Sequence, residues 1–434
     1  MIKLIATLLF LTIGISQNWK PIHNIESYNH HNDIINYHIA DSLSNELLIN
    51  NSNRNNLSHE VIGYLPYWEY NHYPNLNYNL LTQINYFSCD LDQYGNILNT
   101  HNWENTNLVN YAHEHGVKVK LCATLFGQNN LSTLLSNQDN RENAIQNLLS
   151  LVLLKNADGI DIDFELLPSS QRNNLVLFME ELSTAFHAAI NDPIITMATP
   201  AIDWSNAWDY NQLAEITDGL FIMGYNYFYS GSSSAGPVSP LGGFYYDLEY
   251  TVSDYIDKTG GQYDKLILGL PYYGYDWPVE DSLIFSETNG TGQAITYDAL
   301  LTNLSDSNTN WHNATTSNWL SYHNNDWKQV WHDDSLSLSN KYEFAINNNL
   351  QGIGIWALGY EGNRNELWGA INDKFSEILI GDLNNDQIIN ILDVIMLTNI
   401  ILEIDSNMNY SDINGDNSTN ILDIIYLVNI ILAS

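Results

Sequence analysis

Short apolar runs alternate with helical hydrophobic patterns between Val61 and Leu358. A helix is predicted at 141–154, for example, where Ile145, Leu148 and Val152 share one face. Alternation of this kind is typical of repeated strand–helix units. Eight strands suit a closed (β/α)8 TIM-type barrel, an α/β fold whose active site lies at the C-terminal ends of the strands. The predicted strands are Val61–Trp68, Gln83–Cys89, Val117–Leu125, Gly159–Leu166, Ile194–Pro200, Gly219–Tyr227, Lys265–Tyr273 and Gly352–Leu358.

The connection between the seventh and eighth strands is about 70 residues long, far more than a usual loop. We therefore predict a small α+β insertion at about 279–333 that walls the cleft. Four tryptophans are concentrated there, and they either bind a polysaccharide or form the core of the insertion. They are Trp311, Trp319, Trp327 and Trp331.

The N-terminus has the layout of a secretory signal peptide, assigned to 1–16: a positive charge at Lys3 and a short apolar run ending near Ser16. No later run reaches the ~18 apolar residues that span a bilayer, so we expect a secreted, extracellular protein. The next segment, 17–57, is polar and has no sustained period, which predicts a linker or pro-segment. Its histidines are expected in a solvated tail rather than a metal site: His23, His30, His31 and His38.

Charge narrows the range of partners. The chain has 434 residues, with 50 Asp+Glu against 14 Lys+Arg and a net charge of −36. Such a surface repels nucleic acid and anionic lipid, so neutral or cationic partners are expected. The length accommodates a barrel of ~250 residues plus a smaller domain. The only two cysteines, Cys89 and Cys122, end two neighbouring predicted strands, and either a disulfide or two buried thiols fits.

Three acids share one face of the fourth predicted strand. Because strand side chains alternate, Asp161, Asp163 and Glu165 point to one side while the intervening apolar residues point to the other. If the acids face the barrel interior, their repulsion raises at least one pKa. A carboxyl group that stays protonated near neutral pH can protonate a leaving-group oxygen, as a glycosidase requires. The alternative is an acidic strand end that binds a cation or faces water.

The motif Asp158-Gly159-x-Asp161-x-Asp163-x-Glu165 resembles the signature of glycoside hydrolase family 18, the chitinase family, on the fourth strand of its TIM-type barrel. The resemblance implies that Glu165 is the general acid/base. It also implies that Asp163 orients the substrate's own 2-acetamido group, which acts as the nucleophile, and that Asp161 supports Asp163. No cofactor is implied for catalysis.

Other strands resemble the same family. Gly63-Tyr64-x-x-x-Trp68 is similar to its first strand, 268–274 to its seventh, and 352–358 to its eighth, where Trp356 would lie under the reacting sugar. Met223-Gly224-Tyr225-Asn226 resembles the family's Met-x-Tyr-Asp, so Tyr225 would bond the acetamido carbonyl. Asn226 replaces the family's aspartate, which should move the pH optimum or weaken sugar contacts without abolishing activity. The substrate-binding residues implied are Trp356, Tyr64, Met223, Asn226 and Tyr273.

The C-terminal segment 378–434 contains a repeat. Asp382-x-Asn384-x-Asp386 with Asn390 and Asp393 recurs 30 residues later. Oxygen ligands at loop positions 1, 3, 5, 7, 9 and 12 before an apolar helix form the EF-hand arrangement for calcium. The predicted ligands of two ions are Asp382, Asn384, Asp386, Ile388, Asn390 and Asp393, then Asp412, Asn414, Asp416, Ser418, Asn420 and Asp423.

The pair of loops resembles a type I dockerin module, an all-α domain that docks to a cohesin-type partner. The positions after Asn390 and Asn420 are Ile-Leu rather than small hydroxyl residues, and the usual Lys/Arg pair is absent, so the choice of partner stays open. The barrel itself is assigned to 58–377.

The resemblances imply a secreted enzyme that cleaves β-1,4 bonds of N-acetylglucosamine glycans such as chitin and chito-oligosaccharides. A peptidoglycan hydrolase is the alternative, because Leu270-Pro271-x-Tyr273-Gly274-Tyr275-Asp276-Trp277 resembles the spore peptidoglycan-hydrolase branch. The net charge of −36 favours chitin, since peptidoglycan also carries carboxylates. A chitin-binding lectin is a further alternative, which the presence of Glu165 opposes.

Overall fold

A computed structural model of the chain describes residues 20–33, 57–304, 309–376, 379–384, 388–402, 404 and 411–433. Its strands are β1 Glu60–Pro66, β2 Gln83–Leu91, β3 Ile97–Asn99, β4 Lys118–Phe126, β5 Gly159–Glu165, β6 Ile194–Pro200, β7 Gly219–Met223, β8 Leu266–Pro271, β9 Tyr273–Val279, β10 Gln293–Thr296, β11 Asn310–His312, β12 Ser317–Asn324, β13 Asp326–His332 and β14 Gly352–Trp356. Its α-helices are α1 Ile22–His30, α2 Leu108–Glu114, α3 Gln128–Ser136, α4 Gln138–Lys155, α5 Arg172–Ala189, α6 Tyr210–Ile216, α7 Leu248–Lys258, α8 Tyr297–Asn303, α9 Ser335–Asn347, α10 Glu366–Phe375, α11 Ile391–Ile401 and α12 Ile421–Ala433.

Eight parallel strands close a barrel in the order β1–β2–β4–β5–β6–β7–β8–β14, and β14 pairs back with β1. The short β3 adds an antiparallel edge to β2. The predicted (β/α)8 barrel and its eight strands are therefore confirmed. The main difference is the sixth strand, which ends at Met223 rather than Tyr227. The chain turns there, because the backbone N–H groups of Gly224 and Tyr225 bond the carbonyls of Ile222 and Met223.

Phe221 on β7 occupies the barrel interior, and two glycines make room for it. A Cβ atom added to Gly354 would lie 1.9 Å from the Phe221 ring, and one added to Gly269 would lie 2.3 Å from it. A native interior is close-packed, so neither position tolerates a side chain without displacing the ring. The ring also meets Tyr64 edge-on at 4.8 Å, directly beneath the acids of β5. The close packing around Phe221 thus fixes the position of the Tyr64 ring.

The insertion contains a five-stranded antiparallel sheet in the order β10–β9–β13–β12–β11, together with α8. It begins at Tyr273 rather than near 279, because β9 follows β8 with a single intervening residue. Trp331 is fully buried and stacks on Phe285 and Trp319, whereas Trp311 is 37% exposed. Trp331 therefore belongs to the large hydrophobic core that the insertion shares with the barrel.

The prediction for the N-terminal segment is wrong in one respect. Residues 22–30 form α1, and His23 has no exposed surface. His31 is exposed as expected, His30 is partly buried, and His38 lies outside the described residues. The segment lacks an apolar face because α1 packs against a polar cleft, where polar side chains take the inward positions.

The C-terminal helices α11 and α12 pack on each other around a small separate core of Leu383, Leu397, Ile413 and Leu427. In the part of the chain that the structure describes, no helix has the length and apolar character needed to cross a membrane. Cys89 and Cys122 are both buried free thiols, which settles the open choice against a disulfide.

Candidate active site

The three acids of β5 point into the barrel and are almost completely buried: Asp161 and Asp163 are 0% exposed and Glu165 is 5% exposed. The innermost, Asp161, accepts hydrogen bonds from the Tyr64 hydroxyl at 2.7 Å and the Thr196 hydroxyl at 2.6 Å. Lys120 in turn donates to Thr196 Oγ1 at 2.6 Å, and burial lowers the pKa of Lys120 to about 8. Asp161 is thus fixed in place by donors from neighbouring strands.

The two outer acids have few donors. Burial raises the pKa of Glu165 well above its usual value, and the neighbouring Asp163 carboxylate raises it further. Burial also raises the pKa of Asp163, an effect that His23 partly offsets. Among the described residues, Glu165 Oε1 and Asp163 Oδ1 have no hydrogen-bond partner. Glu165 is therefore a buried acid that stays protonated to higher pH than an exposed glutamate.

Tyr225, in the turn after β7, and Trp356, the last residue of β14, complete the site. The Tyr225 hydroxyl lies on the same side of the barrel as Asp163, since one imidazole, that of His23, bonds both groups at 2.8 Å. The Trp356 ring lies in the barrel mouth, and its face stacks on that same imidazole with ring centroids 3.7 Å apart. Tyr64, Asp163, Tyr225 and Trp356 therefore surround one small pocket.

The remaining predicted substrate-binding residues lie beside this pocket. Asn226 follows β7 and accepts hydrogen bonds from the hydroxyls of Tyr273 at 2.7 Å and Tyr275 at 3.3 Å. Met223, at the end of β7, is 8% exposed, and Tyr273 is 2% exposed. Tyr273 also meets the Tyr225 ring edge-on at 6.1 Å. The structure thus brings all nine predicted site residues of the barrel to one end of it.

The contribution of α1 to the site was not predicted from the sequence. Glu26 accepts a hydrogen bond from the Trp356 indole N–H at 2.8 Å, and the His30 ring stacks on Trp68 at 4.7 Å. Burial raises the pKa of Glu26 to about 7. A signal was present: His23, Glu26 and His30 are spaced as neighbours on one helix face, but all are polar.

One cluster in the site has the composition of a metal site. Ligand atoms of His23, Asp163 and Glu165 lie within 4.8 Å of one another. However, His23 Nδ1 already bonds Asp163 Oδ2 at 2.8 Å, so a cation would have to displace that hydrogen bond. The geometry favours the hydrogen-bonded arrangement.

The two C-terminal loops repeat the same hydrogen bonds. Asp393 Oδ1 accepts the backbone N–H groups of Leu383 and Asn384, and its Oδ2 accepts that of Asn390. Asp423 accepts the equivalent N–H groups of Ile413, Asn414 and Asn420.

Both aspartates are 0% exposed, and the sequence has no Lys or Arg after Lys374. Buried carboxylates without a cationic side chain fit a bound hard cation such as calcium. Of the twelve predicted ligands, Asp386 lies outside the described residues.

Comparison with known proteins identifies the class. Residues 60–361 match the profile of glycosyl hydrolases family 18, and residues 380–432 match the type I dockerin domain. The chain therefore belongs to glycosyl hydrolase family 18 and carries a C-terminal dockerin type I domain. Dockerin domains bind calcium.

Two curated relatives and one solved structure illustrate the likeness. The chain is 27% identical over 235 residues to the sporulation-specific glycosylase YdhD of Bacillus subtilis, covering 52% of each chain. It is 25% identical over 308 residues to the di-N-acetylchitobiase of Mus musculus, covering 62% of this chain and 80% of that one. The family 18 chitinase of Cycas revoluta, solved with (GlcNAc)3, has a TM-score of 0.67 at 18% identity and covers 73% of this chain and 99% of that one. The chain spans about half the length of the first curated relatives it matches.

Proposed function

We propose that this protein hydrolyses β-1,4 bonds of N-acetylglucosamine-containing glycans, chitin and chito-oligosaccharides above all. The observation that carries the proposal is the pocket bounded by Asp163, Tyr225 and Trp356 beside the buried acid Glu165. It offers a hydrogen-bond acceptor, a hydroxyl donor and an aromatic floor within reach of one protonated carboxyl group. An N-acetyl group needs the first two, and the apolar face of a pyranose packs on the third.

These groups can carry out hydrolysis with retention of configuration, in which the substrate's own acetamido group is the nucleophile. The protonated Glu165 donates its proton to the glycosidic oxygen as the bond to C1 breaks. The acetamido carbonyl oxygen attacks C1 from the other side and closes a five-membered ring. Asp163 accepts the acetamido N–H and stabilises the positive charge that develops there, while Tyr225 donates to the acetamido oxygen and orients it. Glu165, now ionised, then takes a proton from the water that opens the ring.

Asp161 acts through Asp163. Two hydroxyl donors and the buried Lys120 behind them keep its charge in place below the reacting groups. Substrates without an N-acetyl group at the cleaved unit lack the nucleophile, so cellulose and xylan are expected to remain intact.

A second candidate is an N-acetylglucosaminidase that acts on peptidoglycan, which also carries the N-acetyl group. The relative named as a sporulation-specific glycosylase favours it. The net charge of −36 opposes it, because peptidoglycan carries carboxylates of its own. A chitin-binding lectin needs no acid, and a buried Glu165 of raised pKa is unnecessary for binding alone.

The C-terminal module would hold two calcium ions. The ligands would come from positions 1, 3, 5, 7, 9 and 12 of each loop, and the ions would neutralise the buried Asp393 and Asp423. Its partner would be a cohesin-type protein, which would place the enzyme outside the cell after export. The apolar side chains of Ile391, Leu392, Ile421 and Leu422 are more than half exposed and available for docking.

The test compares wild type with Glu165→Gln on soluble chito-oligosaccharides and on purified peptidoglycan, with release of reducing sugar as the readout. We expect wild type to cleave chito-oligosaccharides and the variant to lose on the order of 10³-fold in rate. Glutamine keeps the size of the side chain, so binding should persist. Cleavage of peptidoglycan alone would establish the second candidate, and undiminished activity of the variant would contradict the assignment of the acid.

A further inference from the structure

We propose that α1 is an intramolecular inhibitor, and that His23 occupies the pocket for the substrate's 2-acetamido group. The inference rests on the proposed function, because it identifies the pocket by the group that function requires. Its occupant is a segment of the same chain, seated in the barrel mouth against the acids of β5.

Every pocket wall that a substrate would need is engaged by His23. Its Nδ1 bonds Asp163 Oδ2 and its Nε2 bonds the Tyr225 hydroxyl, each at 2.8 Å. Its ring stacks on Trp356 at a centroid distance of 3.7 Å and an angle of 25°. Nδ1 also lies 3.7 Å from Glu165 Oε1. A sugar cannot reach Asp163, Tyr225 or the face of Trp356 while this imidazole is present.

The imidazole imitates the acetamido group chemically. A neutral imidazole is planar and carries one N–H donor and one acceptor nitrogen, as an amide carries an N–H donor and a carbonyl acceptor. With a carboxylate at Asp163 and a hydroxyl at Tyr225, Nδ1–H donates to Asp163 and Nε2 accepts from Tyr225. The five-membered ring also has the shape of the ring formed when the acetamido oxygen closes on C1. While α1 is docked, His23 therefore supplies hydrogen-bond partners to Asp163 Oδ2 and the Tyr225 hydroxyl.

Three further contacts extend the interface of α1 along the cleft. Glu26, one turn from His23, accepts the Trp356 indole N–H at 2.8 Å, and His30 stacks on Trp68 at 4.7 Å and 10°. The Tyr67 hydroxyl donates to the Ser27 carbonyl at 3.3 Å. The inhibitor is therefore a helix face that contacts Trp68, just after β1, and Trp356 at the end of β14, rather than a single side chain.

The helix depends on the cleft for its order. It has nine residues, its N-cap Pro21 makes no side-chain capping bond, and helices of this length are marginal in water. Docking and helix formation are thus coupled, and a substrate must compete with the docked state. The measured affinity is therefore the intrinsic affinity multiplied by the fraction of molecules in which the cleft is open.

The experiment measures binding of (GlcNAc)4 to the full chain in a Glu165→Gln background, where the oligosaccharide is not consumed. His23→Ala should bind it at least about tenfold more tightly than the parent, because the docked state loses its central contacts. His31→Ala is the matched control: His31 lies just beyond the same helix, is exposed and stacks on Tyr28, so the affinity should not change. Cellotetraose, which lacks acetamido groups, should bind weakly to all variants.

A second measurement follows the helix directly. Hydrogen exchange of the backbone amides at 22–30 should accelerate when (GlcNAc)4 is added to the Glu165→Gln chain, because the helix is displaced. Equal affinities of the parent and His23→Ala, or unchanged protection of these amides in the saturated complex, would overturn the inference and leave the proposed function intact. Failure of every variant to bind the oligosaccharide would overturn both.

Discussion

The barrel and the C-terminal module both carry oxygen-bearing side chains at alternate positions, and the negative charge of their acids is accommodated in opposite ways. Asp161, Asp163 and Glu165 lie on a strand with their side chains pointing to one side. The motif Asp412-x-Asn414-x-Asp416 lies instead in a loop that curls around its own backbone N–H groups: Asp412 Oδ1 alone accepts those of Gly415 and Asp416. The acids of the strand form a row, whereas Asp412 in the loop is bonded to the backbone of its own turn.

The difference teaches that spacing of acids does not by itself define a site. On β5, burial and the neighbouring Asp163 carboxylate raise the pKa of Glu165, so a proton relieves the repulsion. In the loops, the spacing of oxygen-bearing side chains and the absence of any Lys or Arg after Lys374 favour a metal ion instead. A proton can be transferred in catalysis, whereas a calcium ion holds a fold together.

The largest effect on activity is expected from Asp163→Asn, which removes the carboxylate next to the protonated Glu165. The rate on chito-oligosaccharides should fall about 10³-fold, or ~4 kcal/mol, because the acetamido group loses the negatively charged acceptor that stabilises its developing positive charge. Loss of the Asp163 charge also lowers the pKa of Glu165, so the acid ionises earlier and residual activity should decline at a lower pH than in wild type. A pH–rate profile checks both. A decline moved to higher pH would contradict the electrostatic account.

Calcium removal tests whether a metal ion stabilises the C-terminal module. Addition of a chelator should destabilise the C-terminal module by about 3–4 kcal/mol, the linkage term for calcium present at 100 to 1,000 times its dissociation constant. Thermal unfolding should then show an earlier transition for α11 and α12, while the barrel transition and hydrolysis of soluble oligosaccharides stay unchanged. Asp423→Ala should reproduce part of this effect in the presence of calcium. Loss of hydrolysis on chelation would show that the barrel also needs the ion.

The barrel was predictable because its signals are local. Apolar runs on β4 to β6 and the alternation of Asp161, Asp163 and Glu165 mark strands, and the motif around them places the acid. The helix α1 was not predictable in this way, because its inward residues His23 and Glu26 are polar and find their partners more than 100 residues away in the chain. Hydrophobic periodicity detects helices that bury apolar faces, and α1 buries a polar one.

The support beneath the acids can be tested with a pair of threonines. Thr196→Val removes a hydroxyl donor from the buried Asp161 carboxylate and the hydroxyl acceptor of the buried Lys120 Nζ, which together should lower the free energy of unfolding by about 3 kcal/mol. Thr199→Val is the control, because the Thr199 hydroxyl donates to the neutral carbonyl of Phe221 at 3.2 Å. Its loss should lower the free energy of unfolding by about half as much. Denaturant unfolding of both variants gives the comparison. Equal losses would mean that the charge on Asp161 adds nothing to the bond.

The smallest effect on activity is expected from Asn226→Asp. This variant restores the carboxylate of the family motif near the acids of β5. The hydroxyls of Tyr273 and Tyr275 already donate to Asn226 Oδ1, so a carboxylate there finds two donors and the fold should be unaffected. A further negative charge raises the pKa of Glu165, and the activity should extend to higher pH by roughly half a unit. Asn226→Ala, which removes the acceptor without adding charge, should leave the pH profile in place. Equal shifts of the pH profile in the two variants would mean that the pKa of Glu165 responds to packing at residue 226. The added negative charge would then have no effect of its own on the barrel acids.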